Sequence, residues 1–235
     1  ETPVGTYLKL AEGRKNTFLL ESVQDAAVRG RYSIIGMQPD VILKVEAGSA
    51  SINRRAQLDE GNYQLLPELP LDALRNLVAD SMIEVPEGLP PQSAGVYGYL
   101  GYEMVRYMEK LPDSNPDHLQ TPEAVLMRPS LLAIFDTLKD ELYLTAPVYA
   151  RTGVSAKQAY EAAEARIEDA IGRLGRAMPA TPALPDLESI AVTSNTSRDD
   201  YFAMVAKAKD YITAGDIFQV VLSQRFEAEF NLPPT

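Results

Sequence analysis

The stretch NTFLLESV, Asn16 to Val23, opens as a buried strand and then breaks its own pattern. Phe18, Leu19 and Leu20 are apolar, Glu21 and Ser22 interrupt them, and Val23 resumes the run. Seven residues on, GRYSIIG (Gly30–Gly36) reads as a second strand, with QDAAVR between them. Two antiparallel strands joined by that loop are the arrangement this spacing predicts. Along a strand successive side chains point to opposite faces, so Phe18, Leu20 and Ser22 share one face and Leu19, Glu21 and Val23 the other. Two accounts of the polar pair stay open. Glu21 pairs with Arg29 or Arg31 across the hairpin and Ser22 bonds to backbone, or the pair lines a pocket for a small zwitterion.

Working outward, the first third is β-rich. DVILKVE (Asp40–Glu46) and SASINRR (Ser49–Arg55) read as strands joined by the turn AGS. From Pro70, Leu71, Leu74, Leu77 and Val78 fall at helical spacing, with the proline suited to the first turn. SLLAIFDTLKDELYLTAPVYA reads as a long hairpin around TLKDE. A helix is expected from Ser155, where Gln158 completes a capping box, with Tyr160, Ala163, Ile167, Ile171 and Leu174 on one face and Gly175 at its end. A second helix follows Ser197, with Asp199 and Asp200 at the positive end of its dipole and Gly215 closing it. IFQVVLSQRFEAEF reads as a final strand. Strands followed by helices collected beside them, not alternating with them, indicate an α+β fold of antiparallel sheets with packed helices. The composition shift at MPATPALPDLESIAVTSNTS marks a boundary, giving a domain over 1–177, a linker over 178–196 and the start of another domain over 197–235.

Composition narrows the function classes. A formal charge of −11 with no clustered Lys or Arg argues against a nucleic-acid surface. No run approaches the ~18 apolar residues that cross a bilayer. The chain has no Cys and a single His, His118, which excludes a disulfide framework and makes a His-centred site a poor reading; a cytoplasmic location is expected. Glu161, Glu164 and Glu168 lie along one helix, but acids interleaved with Arg166 read as a solvated, ion-paired face before a metal site. GVYGYLGYE spaces Gly95, Gly98 and Gly101 every third residue, which is not a dinucleotide fingerprint. It reads as a strand whose glycines allow close backbone packing. The chain opens on Glu1 and closes on FNLPPT after an edge with nothing to cover it, so the natural polypeptide is expected to continue.

FLLES, GRYSIIG, GVYGYLGYE and GDIFQVVLSQRF, in that order, resemble the component I family of anthranilate synthases over the whole chain, as the N-terminal part of that subunit. The resemblance implies a two-domain α/β-sandwich of which only the N-terminal part is present. It implies a lyase that aminates chorismate and then releases pyruvate to give anthranilate, with ammonia from a glutamine amidotransferase subunit. Mg²⁺ is implied for the full-length enzyme with ligands beyond this chain, so no metal ligand is named here. In that family the LLES segment lines the allosteric site for tryptophan, which implies Leu20, Glu21 and Ser22 as tryptophan-binding residues. Ser22 is the safer choice by the face rule, and Leu20 shares its face. Gln219 is the candidate chorismate-pocket residue, matching a lysine in relatives that add water; an amide cannot take a proton from water, which suits ammonia as the nucleophile. A strand-edge role for Gln219 stays open beside this. Two other functions remain: component I of aminodeoxychorismate synthase, and a stand-alone, non-catalytic amino-acid-binding module.

Overall fold

The structure, a computed structural model, describes residues 1–21, 30–112, 116–179 and 191–230. The chain divides into two compact units, Glu1–Pro179 and Ala180–Thr235.

The first unit begins with a helix the sequence reading did not anticipate, α1 (Pro3–Ala11). Its signals are present: Thr2 accepts a hydrogen bond from the Gly5 amide, and Pro3 occupies the first turn. The strands follow as β1 (Phe18–Glu21), β2 (Tyr32–Glu46), β3 (Ser49–Asn53) and β4 (Gln64–Leu65), then the helix α2 (Pro70–Asp80). After β5 (Tyr97–Leu100) comes a 3₁₀ helix at Tyr102–Tyr107, then β6 (Ala124–Asp136), β7 (Glu141–Thr145) and the helix α3 (Ala156–Leu174). Every strand pairing is antiparallel. The sheet runs β4-β3-β2-β6-β5, with β1 added beside the first half of β2 and β7 beside the second half of β6. The class is α+β with an antiparallel sheet, as the sequence indicated.

One correction concerns β2. GRYSIIG and DVILKVE are not separate strands but one 15-residue strand, running through Gln38, Pro39 and Asp40. Those residues resemble a turn in sequence. They form a bulge: the register against β6 shifts between Pro39 and Val41, and Gln38 has φ +51°. Pro39 lies opposite Pro129, so neither strand has an amide to offer where the ladder is interrupted. The turn between β2 and β3 is the two residues Ala47 and Gly48, both at positive φ, the hairpin geometry that matches strand twist.

The bulge separates two cores. Ile35 pairs with Ala133 and Met37 with Leu131, and these four pack with Leu10 of α1 and Ala170 of α3. Leu43 pairs with Leu126 and Val45 with Ala124, and these pack with Ala73 and Leu77 of α2 and Met104 of the 3₁₀ helix. On β6 the first set is odd-numbered and the second even, so alternation puts the cores on opposite faces of the β2–β6 ribbon.

The expected capping box of α3 is formed: the Ser155 hydroxyl accepts from the Gln158 amide and the Gln158 side chain accepts from the Ser155 amide. The buried face of α3 differs from the expected one. Ala163 and Ala170 are buried, Ile167 and Leu174 half-buried, and Tyr160 and Ile171 exposed. Ala at a close-packed position carries little hydropathy, so the larger residues misplaced the stripe. Gly175 caps the helix at φ −71°, without the left-handed geometry that makes a glycine cap specific.

The second unit contains the two-stranded pair β8 (Val192–Ser194) and β9 (Phe226–Ala228), and the helix α4 (Arg198–Ala214). Ser197 caps α4 by accepting from the Asp200 amide, and Gly215 closes it at φ +82°. The expected long strand over IFQVVLSQRFEAEF is corrected to β9 alone; residues 217–225 are not in a strand. Phe218 and Val221 are almost fully exposed. Strand-forming residues need a partner strand and a covered face, and a lone two-stranded ribbon is marginal.

Candidate functional site

β1 carries the segment on which the allosteric expectation rests. Its ladder pairs Phe18 with Gly36, Leu19 with Ile35, Leu20 with Ile34 and Glu21 with Ser33. Leu19 packs toward the core under α1 and α3. Phe18 and Leu20 take the other face. The Phe18 ring lies over Gly36 so closely that a Cβ there would meet Cζ at 2.2 Å; the glycine makes room for the aromatic ring. Phe18 also stacks on Tyr97 of β5, centroids 5.2 Å apart. The Tyr97 hydroxyl donates to the Gln92 carbonyl, and burial pushes its pKa up to about 12.

Leu20 is 47% exposed and Glu21 is exposed. The hairpin pairing open at the sequence level is corrected for Arg31. Arg31 makes a two-pronged bond with Asp136, Nε to Oδ1 at 2.8 Å and Nη2 to Oδ2 at 2.6 Å. That fork is committed, and its charge and hydrogen bonds hold the Asp136 carboxyl below the usual range. Glu21 has no hydrogen-bond or ion-pair partner among the described residues. Ser22 and Arg29, the other parts of that expectation, lie outside the described residues. The end of β1 thus presents an uncommitted carboxylate on the face of Leu19 and, on the opposite face, an apolar shelf of Leu20 and half-buried Ile34. An apolar cavity of about 290 Å³ lies elsewhere, between the end of α2 and residues 91–96, lined by Val78, Met82, Ile83 and Val96; Leu20 and Glu21 do not line it.

Gln219 stands in the second unit, exposed, in a segment without strand structure and with no hydrogen bond among the described residues. A role satisfying strand-edge groups is therefore corrected. Glu161, Glu164 and Glu168 are exposed. Glu161 pairs with Lys157, and Arg166, expected within pairing reach, pairs with none of the three among the described residues. No group of three His, Cys, Asp or Glu side chains able to hold a metal ion occurs among the described residues, and no metal ligand is assigned to them. No helix among them is long and apolar enough to cross a membrane.

Sequence reasoning missed a buried charge cluster at the bulge. The Arg128 guanidinium donates to both Asp40 oxygens at 2.8 Å, and Arg151 donates to Oδ2 at 2.6 Å. Tyr149 lies against Arg128 at 4.0 Å from the ring centroid. The signal was available: a charge inside each of two apolar strand runs, beside Pro39 and Pro129, which requires a buried partner.

Comparison with known proteins places the chain. It is 49% identical to anthranilate synthase component 1 of Cereibacter sphaeroides over all 235 residues, and 37% identical to that of Thermus thermophilus over the same length. It spans about half of each relative, 47% and 46%. The solved anthranilate synthase component I of Streptococcus pneumoniae superposes with a TM-score of 0.66 at 24% identity, over the whole chain and 48% of that protein, which is a likeness of fold. A family model described as chorismate binding enzyme matches residues 20–235, from the exposed leucine of β1 through both units, and by that match the chain belongs to the chorismate-binding enzyme family.

Proposed function

We propose that this chain is part of an anthranilate synthase component I, a cytoplasmic enzyme of tryptophan biosynthesis that takes chorismate and ammonia to anthranilate and pyruvate. A glutamine amidotransferase subunit supplies the ammonia. The end of β1 is its feedback site for tryptophan: Ser22 offers its hydroxyl to the ligand's carboxylate or ammonium, Leu20 on the same face packs on the indole, and Glu21, from the other face, meets the ammonium where the strand end kinks. The observation that carries the regulatory reading is the exposed Leu20 of β1 followed in sequence by Glu21, whose carboxylate has no partner among the described residues while Arg31 is bound to Asp136. The 49% identity along the chain supports the catalytic reading. Gln219 remains the chorismate-side candidate, its exposed amide unable to act as a base toward water.

Magnitudes divide the work at the feedback site. Burying an indole removes roughly 200 Å² from water, about 5 kcal/mol. A hydrogen bond to a charged group contributes about 1.5–3 kcal/mol. The apolar wall sets affinity, and the polar pair selects an amino acid over plain indole.

The test uses the full-length subunit with chorismate and ammonium, following anthranilate fluorescence while tryptophan is added. Glu21→Gln removes a charged bond and raises the tryptophan concentration for half-inhibition by about 10- to 100-fold with kcat little changed. Absence of anthranilate sinks the catalytic reading. An unchanged inhibition curve in both Glu21→Gln and Leu20→Ala sinks the regulatory one.

A further inference from the structure

We propose that the apolar cavity between the end of α2 and residues 91–96 is a binding site for an uncharged aromatic molecule of about two fused rings. Val78 of α2, Met82 and Val85 after it, and Pro91, Ala94 and Val96 before β5 line a space of about 290 Å³. Protein interiors hold few voids larger than a water molecule, so a space of this size between packed elements is not packing slack. It stands at the small end of the roughly 300–1,000 Å³ range of ligand sites, and is close to twice the ~150 Å³ cavity that takes benzene. Gly95 adds to the room: no atom lies within 4 Å of a would-be Cβ there.

The walls are tied down from the sheet. Arg128 of β6 donates to the Asp80 carbonyl at the end of α2, at 3.2 Å. In the segment before β5, the Gln92 carbonyl accepts from the Tyr97 hydroxyl and the Ser93 carbonyl from the Thr145 hydroxyl of β7, at 3.1 Å. The Gly95 amide donates to the Tyr149 hydroxyl at 3.4 Å. The space is therefore preformed, as ligand sites ordinarily are. Its lining sets the chemistry. No charged side chain among the described residues lines it, so nothing there offsets the cost of burying an ionised ligand. The hydroxyl in the lining, that of Ser81, already donates to the Leu77 carbonyl at 2.7 Å, and the Gly95 amide is bound to Tyr149. The ligand's buried part therefore needs no hydrogen bonds of its own. Met82 is 78% exposed at this site, and its flexible thioether favours ring edges, which selects an aromatic body over an aliphatic one. Neither Leu20 nor Glu21 lines the cavity, so the proposal does not rest on the feedback reading of β1.

Methyl NMR of the chain, labelled at its seven methionines and with the Met82 signal assigned by Met82→Leu, tests this with naphthalene as the probe. The expected result is a dose-dependent shift of the Met82 signal, with naphthoate, the same rings carrying a charge, at least about tenfold weaker. Ala94→Leu fills part of the space and should weaken naphthalene at least about tenfold. Should that variant fail to fold, Val78→Phe serves, since Val78 lines the cavity and is half exposed on α2, and the same loss is expected. Leu20→Ala leaves the response unchanged, which separates this cavity from the feedback site. No Met82 response in the unsubstituted chain overturns the proposal. So does an undiminished response in the filled variants, a response lost in Leu20→Ala, or naphthoate binding as tightly as naphthalene. A Met82 signal that moves with protein concentration alone assigns the cavity to a second copy of the chain and overturns the small-molecule reading.

Discussion

Replacing each glycine of GVYGYLGYE by alanine separates two costs that sequence alone cannot. Gly95 has φ +121° and open space around a would-be Cβ, so alanine there meets backbone strain only. Gly101 has an ordinary φ, but its Cβ would lie 2.9 Å from the Glu123 carbonyl oxygen, so alanine there meets crowding only. Gly98 has both: φ +153°, and a Cβ 1.9 Å from the Val125 carbonyl oxygen. Backbone strain at such a residue is worth about 1–3 kcal/mol, and overpacking about 1–3 kcal/mol. Gly95→Ala and Gly101→Ala should each cost about 2 kcal/mol, and Gly98→Ala about 4 kcal/mol or more, because the obstructing atom is backbone in the β6 ladder and cannot rotate away. Near 200 residues, 1 kcal/mol lowers the midpoint by about 2–4 °C, so the expected losses are about 4–8 °C at Gly95 and Gly101 and about 8–16 °C at Gly98. Differential scanning calorimetry reads these directly. A Gly98→Ala midpoint equal to that of Gly95→Ala would show that β5 does not press against β6, and the packing reading of the glycine triplet would fail.

Further perturbations address the ribbon, the bulge and the helix cap. Gly36→Ala forces the Phe18 ring off β2 and out of its stack with Tyr97; in the full-length enzyme it should blunt tryptophan inhibition with little change in uninhibited kcat, and an unaltered inhibition curve counts against coupling between this packing and the feedback site. Asp40→Asn leaves the buried Arg128 without its carboxylate and should cost about 3–5 kcal/mol near neutral pH by urea unfolding. Burial raises the Asp40 carboxyl, but bonds and charge from Arg128 and Arg151 outweigh it and leave it below the ordinary 3.8. The ionised group therefore stabilises fully above that value, and its contribution is lost as pH falls through the folded-state value; the gap between the natural chain and Asp40→Asn must narrow there, and a gap constant down to pH 2 would refute the linkage. Ser155→Ala removes the cap of α3 and should cost about 1 kcal/mol, a midpoint lower by about 2–4 °C; no change would mean that the cap adds nothing to the packed helix.

What the sequence disclosed, and what it hid, follows from range. Caps, hairpin turns and helix ends are local, so Ser155 with Gln158, Ser197 with Asp200, and Gly215 were legible from residues three or four apart. The opening helix was equally local, with Thr2 and Pro3 as its signals, but the strands after it drew the reading toward β. GRYSIIG and DVILKVE read as two strands because the partners that make the residues between them a bulge, Pro129, Arg128 and Arg151, are about 90 to 110 residues away. Arg31 had two acids to choose from, Glu21 nearby and Asp136 across the sheet, and the distant one took it. The strand expected near Gln219 failed for a related reason: its residues favour strands, and β9 is all that pairs, against β8.

The bulge cluster raises the question of why a chain retains buried charge there at all. A buried ion pair is weak support for stability, since apolar replacements of equal volume are often neutral or better. Apolar replacements would not reproduce what Arg128 does. The same guanidinium that bonds Asp40 on β2 also donates to the Asp80 carbonyl at the end of α2, at 3.2 Å, and lies against Tyr149 in the segment leading to α3. A carbonyl left open at a helix end and a buried carboxylate beside the paired prolines are acceptors that one fixed fork of donors meets together. The pair is therefore retained for position: it fixes where β2 changes register, and so which face of the ribbon each core occupies.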